Sequence, residues 1–184
     1  MEIIHAGIRA SYREAGNDAV LLCPPHPLMG GNRFDIRLER VSNALNEIGI
    51  STLSFDYKQP FRMGTGEIED AKIMLDYLKE RHNSVSVFGY SFGSVVASNI
   101  AEETKALILV SPLKKINSIS LRDSPVPKLI VYAVRDEFVP YSESRKIIEM
   151  MSGPKRIVEL DTDHFYTGTM DQLVNSVVEF MKSV

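Results

Sequence analysis

The fold is decided by residues 85–96, which read Val85-Ser86-Val87-Phe88-Gly89-Tyr90-Ser91-Phe92-Gly93-Ser94-Val95-Val96. The first four residues are mostly apolar and β-branched, and they predict a short buried strand. A G-x-S-x-G turn follows, and then a stretch with helical apolar spacing. This succession predicts a nucleophile elbow, a sharp turn that holds Ser91 in strained geometry with its hydroxyl exposed. The two glycines are expected where the backbones approach too closely for a β-carbon.

The five-residue pattern has a simpler interpretation. Short glycine-flanked motifs arise by chance, and Ser91 would then only cap the helix that follows. The choice between a cap and a nucleophile therefore depends on residues elsewhere in the chain.

Composition limits the class of protein. The chain has 184 residues, of which 44% are hydrophobic and 24% charged, as in ordinary globular proteins, so we expect one domain over residues 1–184. A net charge of −3 gives no basic surface for nucleic acid or an anionic membrane. Cys23 is the only cysteine and is expected to be a buried structural thiol. The four histidines are scattered without metal-ligand spacing, so no metal or cofactor is predicted.

The N-terminal residues lack a basic segment followed by a long apolar one, and no apolar run is long enough to cross a bilayer. We therefore expect a cytoplasmic protein with no membrane partner. Its oligomeric state is left open by the sequence.

Strand and helix patterns alternate along almost the whole chain. Predicted strands cover residues 3–4, 8–12, 19–23, 50–55, 85–88, 105–110, 129–134 and 156–160, the first two as an antiparallel hairpin. Predicted helices cover residues 32–48, 67–81, the elbow helix to about 103, 141–151 and 170–182. The order predicts βαβ units in a three-layer α/β/α fold with a mostly parallel sheet. Residues 111–127 are expected to form a polar connection that includes one helical turn.

Unusual residues follow four of the predicted strands. They lie in the loop Pro24–Gly31, at Ser91, at Asp136 and at His164. Ligands bind outside the carboxyl ends of strands in such sheets, so all four should meet at one rim.

A serine hydroxyl attacks only when an imidazole takes its proton, and the imidazole needs a carboxylate to orient it. The chain order Ser91, Asp136, His164 is the one expected when an elbow carries the serine. We therefore predict Ser91 as nucleophile, His164 as general base and Asp136 as the acid. Asp161 and Asp163 are alternatives to Asp136.

Four motifs together resemble the α/β-hydrolases. They are His26-Pro27-Leu28-Met29-Gly30-Gly31, Gly89-Tyr90-Ser91-Phe92-Gly93, Asp136-Glu137-Phe138-Val139-Pro140 and Asp163-His164-Phe165-Tyr166. The chain looks like the small esterase-like branch related to dienelactone hydrolases and acyl-peptidase catalytic domains. It departs from that pattern at Ala133 and Asp161, where glycine is common. Its nucleophile is Ser91 rather than the cysteine of dienelactone hydrolases proper, so that activity is not implied.

The resemblance implies an oxyanion hole made of backbone N–H groups. One N–H would come from Phe92 and the other from Leu28, with Met29 as the second choice. Pro27 cannot serve because proline has no N–H. His26 is interpreted as a residue that stabilises this loop.

The short interval between residues 111 and 127 leaves no room for a lid domain, so an open site without a lid is predicted. Substrate would contact Met29, Tyr90 and Phe165. Further candidate walls, several of which could equally belong to the core, are Tyr57, Leu113 and Phe138.

The resulting functional prediction is a serine hydrolase that cleaves a small acyl substrate, in the first place a carboxylic ester. A thioesterase or peptidase would use the same residues. A non-catalytic binding protein on this scaffold is the alternative from another class.

Overall fold

The computed structural model describes residues 1–184, and eight of its strands form one sheet. The strands in chain order are β1 (Glu2–His5), β2 (Ile8–Arg13), β3 (Asp18–Cys23), β4 (Ile50–Phe55), β5 (Ser84–Tyr90), β6 (Leu107–Val110), β7 (Lys115–Ile116), β8 (Ile119–Ser120), β9 (Lys128–Ala133) and β10 (Lys155–Leu160). The sheet order is β1-β2-β4-β3-β5-β6-β9-β10, and β7 pairs only with β8. The β1–β2 and β2–β4 pairs are antiparallel, and all later pairs in the large sheet are parallel.

Five α-helices cover the sheet. They are α1 (Ile36–Glu47), α2 (Thr65–Lys79), α3 (Phe92–Ser98), α4 (Tyr141–Met150) and α5 (Met170–Ser183). Two 3₁₀ turns, at Pro27–Met29 and Ala101–Glu103, complete the regular structure. None of the helices has the length and apolar character needed to span a bilayer.

The apolar core divides into two layers, one on each face of the sheet. Helices α2, α3 and α4 pack on one face, and α1 and α5 pack on the other. Neighbouring residues of a central strand contribute to opposite layers: Leu21 faces the first, while Val20 and Leu22 face the second. Strands buried on both faces explain the continuous apolar runs in the sequence and give the predicted α/β/α architecture.

The sheet order reverses at β3 and β5. The chain leaves β3 through α1 to reach β4 on one side, and it returns through α2 to β5 on the other side of β3. Loops that leave the carboxyl ends of two such strands diverge and open a crevice between them. The loop after β3 begins at Pro24, and the turn after β5 holds Ser91, so the topology itself places these two segments side by side.

The predicted strands of the large sheet agree with the structure to within two residues. The helices differ more. Helix α1 begins at Ile36 rather than Asn32, because the Asp35 side chain accepts the N–H of Arg37 and caps the helix there. Helix α3 ends at Ser98, where the side chains of Ser98 and Asn99 both donate to the Val95 carbonyl. They compete for the acceptor that the next helical N–H would need.

The helical turn expected between residues 111 and 127 is wrong. The segment instead forms the two-residue strands β7 and β8, joined by a turn in which Asn117 has a φ of 51°. The segment is too short for a lid domain, as predicted.

Candidate active site

The elbow between β5 and α3 has the geometry that its sequence predicts. Ser91 adopts φ 54° and ψ −120°, a strained conformation for a residue with a β-carbon. A β-carbon at Gly89 would lie 2.1 Å from the carbonyl oxygen of Gly93. One at Gly93 would lie 2.1 Å from the carbonyl oxygen of Cys23, so this glycine meets the end of the neighbouring strand β3. Both positions therefore require glycine on steric grounds.

We expect Gly93→Ala to lower the free energy of unfolding by about 3 kcal/mol, because the added methyl meets rigid backbone rather than a movable side chain. Urea unfolding followed by circular dichroism measures this change. Gly7→Ala is the control, since its added methyl meets no atom within 4 Å and its positive φ costs only about 1 kcal/mol. Equal losses in the two variants would contradict the steric explanation.

Three side chains from separate loops form one chain of hydrogen bonds. His164 Nε2 lies 3.0 Å from Ser91 Oγ, and His164 Nδ1 lies 2.7 Å from Asp136 Oδ2. The His164 side chain is 6% exposed and that of Asp136 is 1% exposed. The three residues predicted from their order in the sequence are thus brought together, although 73 residues separate Ser91 from His164.

The environment of Asp136 keeps it ionised. Burial opposes the charge of Asp136, but hydrogen bonds favour it. The carboxylate accepts from His164 and from the N–H groups of Phe138 and Val139, the last two at 2.8 Å. Together these bonds outweigh burial and hold the pKa of Asp136 below its ordinary value. An ionised carboxylate only accepts hydrogen bonds, so Nδ1 of His164 carries a proton. In the neutral ring Nε2 is then the acceptor, and the Ser91 hydroxyl donates to it.

The two alternative acids bond elsewhere. Asp161 pairs with the Arg135 side chain at 2.8 Å on the surface. Asp163 accepts the N–H groups of Phe165 and Thr167, at 3.1 and 3.0 Å, and shapes the turn after His164. Neither carboxylate bonds to the His164 ring.

Some of the backbone N–H groups near Ser91 lack an acceptor within the protein, and others are already bonded. Phe92 is the first residue of α3, and the first N–H groups of a helix have no acceptor inside it. The predicted second donor, Leu28, already donates its N–H to Nδ1 of the His26 ring at 3.2 Å. The N–H of Met29 is bonded to the His26 carbonyl. The N–H of His26 makes no hydrogen bond within the protein.

The His26 ring holds its loop together. Besides accepting from Leu28, its Nε2 lies 3.0 Å from Asn117 Oδ1 in the β7–β8 turn. The ring also packs on Phe61 and Phe92, with centroids 4.8 Å away in both cases. These contacts tie the loop after β3 to the elbow helix and to the short hairpin.

A cavity of about 290 Å³ opens at Ser91 and His164. The predicted substrate contacts Met29, Tyr90 and Phe165 all line it, as do Leu113 and Phe138. Tyr57 does not: it is 5% exposed, lies in the core and donates its hydroxyl to the Pro24 carbonyl, so its prediction as a wall is wrong.

Asp35 and Arg37 also line the cavity, and the sequence interpretation missed both. Asp35 followed by an apolar periodic segment is a recognisable helix start. That signal would have placed the start of α1, and with it these two side chains, at the rim.

No group of three or more histidine, cysteine, aspartate or glutamate side chains is arranged to hold a metal ion. Cys23 is fully buried, and burial raises the pKa of its thiol, which leaves it protonated and structural.

Solved structures share this architecture over nearly the full chain. A protein of unknown function from Agrobacterium tumefaciens, assigned provisionally to the alpha/beta hydrolases, superposes with a TM-score of 0.86 at 22% identity, over 99% of this chain and 95% of that one. A serine hydrolase without a lid from Xanthomonas campestris gives 0.85 at 18% identity, over 96% and 88%. This is the α/β-hydrolase fold without a lid.

A further structure with the same architecture is Est1E from Butyrivibrio proteoclasticus with bound ferulic acid, which gives a TM-score of 0.79 at 19% identity over 100% of this chain and 98% of that one. No protein-family model and no curated protein matches the sequence. At these identities the likeness establishes the α/β-hydrolase fold, and the chemistry has to be argued from the site itself.

Proposed function

We propose that this protein is a serine hydrolase that cleaves a small carboxylic ester through an acyl-enzyme. The observation that carries the proposal is the unbroken chain of hydrogen bonds from Asp136 through His164 to Ser91 at the mouth of a cavity. Fold neighbours that are named as a serine hydrolase and as an esterase support it.

In the first half of the reaction, Ser91 Oγ attacks the ester carbonyl carbon while its proton passes to Nε2 of His164. The carbonyl oxygen gains negative charge, and Asp136 stabilises the imidazolium without taking its proton. When the intermediate collapses, the bond to the alcohol oxygen breaks and His164 returns the proton to that oxygen. The acyl group is then an ester of Ser91.

In the second half, His164 removes a proton from water, and the resulting hydroxide attacks the acyl carbon. The bond to Ser91 Oγ breaks, and His164 returns the proton to the serine as the acid leaves. The same imidazole thus acts as base and acid in both halves.

The developing oxyanion requires N–H donors aimed at it, each worth about 10²–10³ in rate. We assign the first to Phe92 and the second to His26, whose N–H has no partner in the protein. For Leu28 to serve, the His26 ring would have to release its N–H. The His26 ring bonds on both nitrogens, which fixes the loop and preorganises this donor.

Labelling with a fluorophosphonate probe tests the proposal directly, because the probe reacts with a serine only when a neighbouring base activates it. We expect one adduct per chain, located on Ser91 by mass spectrometry, and none after heat unfolding. Hydrolysis of 4-nitrophenyl acetate should accompany labelling. A native protein that neither labels nor turns over the ester would instead support the non-catalytic binding protein.

A further inference from the structure

Arg37 places a guanidinium inside the catalytic cavity. Its side chain is 14% exposed and lines the cavity together with Ser91 and His164. The guanidinium carbon lies 4.6 Å from the centre of the Tyr90 ring and 5.8 Å from that of Phe165. Tyr90 precedes the nucleophile and Phe165 follows the general base. The cation is therefore held against the two residues that adjoin Ser91 and His164 in the chain.

The protein leaves most of this guanidinium without acceptors. Of its five N–H groups, only one on Nη2 is bonded, to Asp35 Oδ2. Nε is sealed from solvent and has no partner. Nη1 has no hydrogen bond either, and it is not among the sealed atoms, so it remains accessible. Nε is closed to a ligand as well as to water, so the N–H groups of Nη1 are the donors that an acceptor from outside the chain can reach.

Asp35 anchors the cation rather than saturating it. One of its carboxylate oxygens accepts the backbone N–H of Arg37 at 2.9 Å as the cap of α1, and the other accepts the side chain. The remaining ionisable residues that line the cavity are His26, His164 and Tyr90, and Arg37 is its only permanent cation. A negative group that enters the cavity therefore finds one fixed, preoriented positive partner.

We propose that Arg37 binds a carboxylate of the substrate, so that the preferred substrates are esters that carry a second, ionised carboxyl group; this rests on the function proposed above. The planar guanidinium matches the two oxygens of a carboxylate better than any other side chain does. Met29, Phe138 and Phe165 line the same cavity and offer apolar surface to the carbon chain of such a substrate.

Two matched pairs of esters test the proposal on the wild-type protein. In the first pair, mono(4-nitrophenyl) adipate carries a carboxylate in its acyl part, and methyl 4-nitrophenyl adipate is its neutral counterpart. In the second pair, 4-acetoxybenzoate carries the carboxylate in its leaving group, and methyl 4-acetoxybenzoate is the neutral counterpart. We expect kcat/KM to favour the carboxylate ester by about 10-fold or more in at least one pair, mainly through a lower KM, as for a hydrogen bond to a charged group. The pair that shows the preference identifies the side of the ester that faces Arg37.

The variant Arg37→Met keeps the length of the side chain and removes its charge, and it should reduce the preference to about 2-fold or less. Arg40→Met is the matched control. Arg40 lies on the same helix, pairs with Asp171 and is 46% exposed, so this variant changes net charge equally while the preference persists. Fluorophosphonate labelling of Arg37→Met shows whether its catalytic site is intact.

If Arg37→Met does not fold, inhibition of the wild-type protein tests whether the cavity prefers a carboxylate. Adipate should inhibit 4-nitrophenyl acetate hydrolysis at a concentration about 10-fold lower than dimethyl adipate. A wild-type protein that hydrolyses the neutral esters and shows no preference in either pair would overturn the carboxylate assignment alone. So would a preference that survives Arg37→Met. Failure to hydrolyse any ester or to label would instead reject the proposed function.

Discussion

Ser91→Ala is expected to lower kcat/KM for 4-nitrophenyl acetate by about 10⁴-fold or more, because the substitution removes the only atom that can form the acyl-enzyme. The Ser91 Oγ that is lost bonds to His164 Nε2 at 3.0 Å, and its removal leaves the His164 and Asp136 side chains unchanged. Fluorophosphonate labelling should be abolished in parallel.

The folded state should tolerate this substitution. Alanine keeps the β-carbon that serine already carries, so the positive φ of 54° costs the two residues about the same. The urea midpoint should therefore stay close to that of the wild-type protein, which separates loss of chemistry from loss of structure. Wild-type turnover in Ser91→Ala would show that the nucleophile has been assigned to the wrong residue.

Asp136→Asn should lower kcat/KM by about 10⁴-fold near neutral pH. The amide matches the carboxylate in shape but can donate a hydrogen bond to Nδ1 of His164, which then loses its proton to become the acceptor. The ring proton moves to Nε2, which can no longer accept the proton of Ser91. The loss therefore comes from the wrong tautomer, and steady-state kinetics on 4-nitrophenyl acetate measures it.

Asp161→Asn and Asp163→Asn are the matched controls, since each makes the same chemical change within three residues of His164. Asp161 forms a surface ion pair with Arg135, and an asparagine at 163 can still cap its turn. Both variants should retain activity to within about 3-fold, because exposed ion pairs contribute little. A larger loss from either than from Asp136→Asn would transfer the role of acid to that residue.

The elbow was predictable because its causes are local. A strand pattern, two glycines and a helix pattern are all visible within residues 85–96, and the steric need for Gly89 arises inside the turn. The need for Gly93 was visible only as a glycine: the atom that excludes a β-carbon there belongs to Cys23, which is 70 positions away in the chain. The structure confirms that both positions need glycine. At Gly89 the obstructing atom lies within the turn, whereas at Gly93 it lies on the neighbouring strand β3.

The loop Pro24–Gly31 shows where sequence reasoning stops. Three prolines and two glycines indicate a loop held for a purpose, but they do not show which N–H groups remain free. That depends on the His26 ring, which takes the N–H of Leu28 and is itself held by Asn117 in the β7–β8 turn. A contact between residues 91 positions apart has no signature in the local pattern.

The sequence by itself determined the α/β/α architecture and the order of strands and helices, and it placed Ser91, His164 and the candidate aspartates in loops that follow strands, because periodicity and turn chemistry act over a few neighbouring residues. Only the tertiary structure decided which of three aspartates bonds to His164 and that Arg37 faces the same cavity. These depend on how separate loops meet at the carboxyl ends of β3, β5, β9 and β10. Side-chain distances at such a junction are set by packing of the whole sheet, to which every strand and helix contributes.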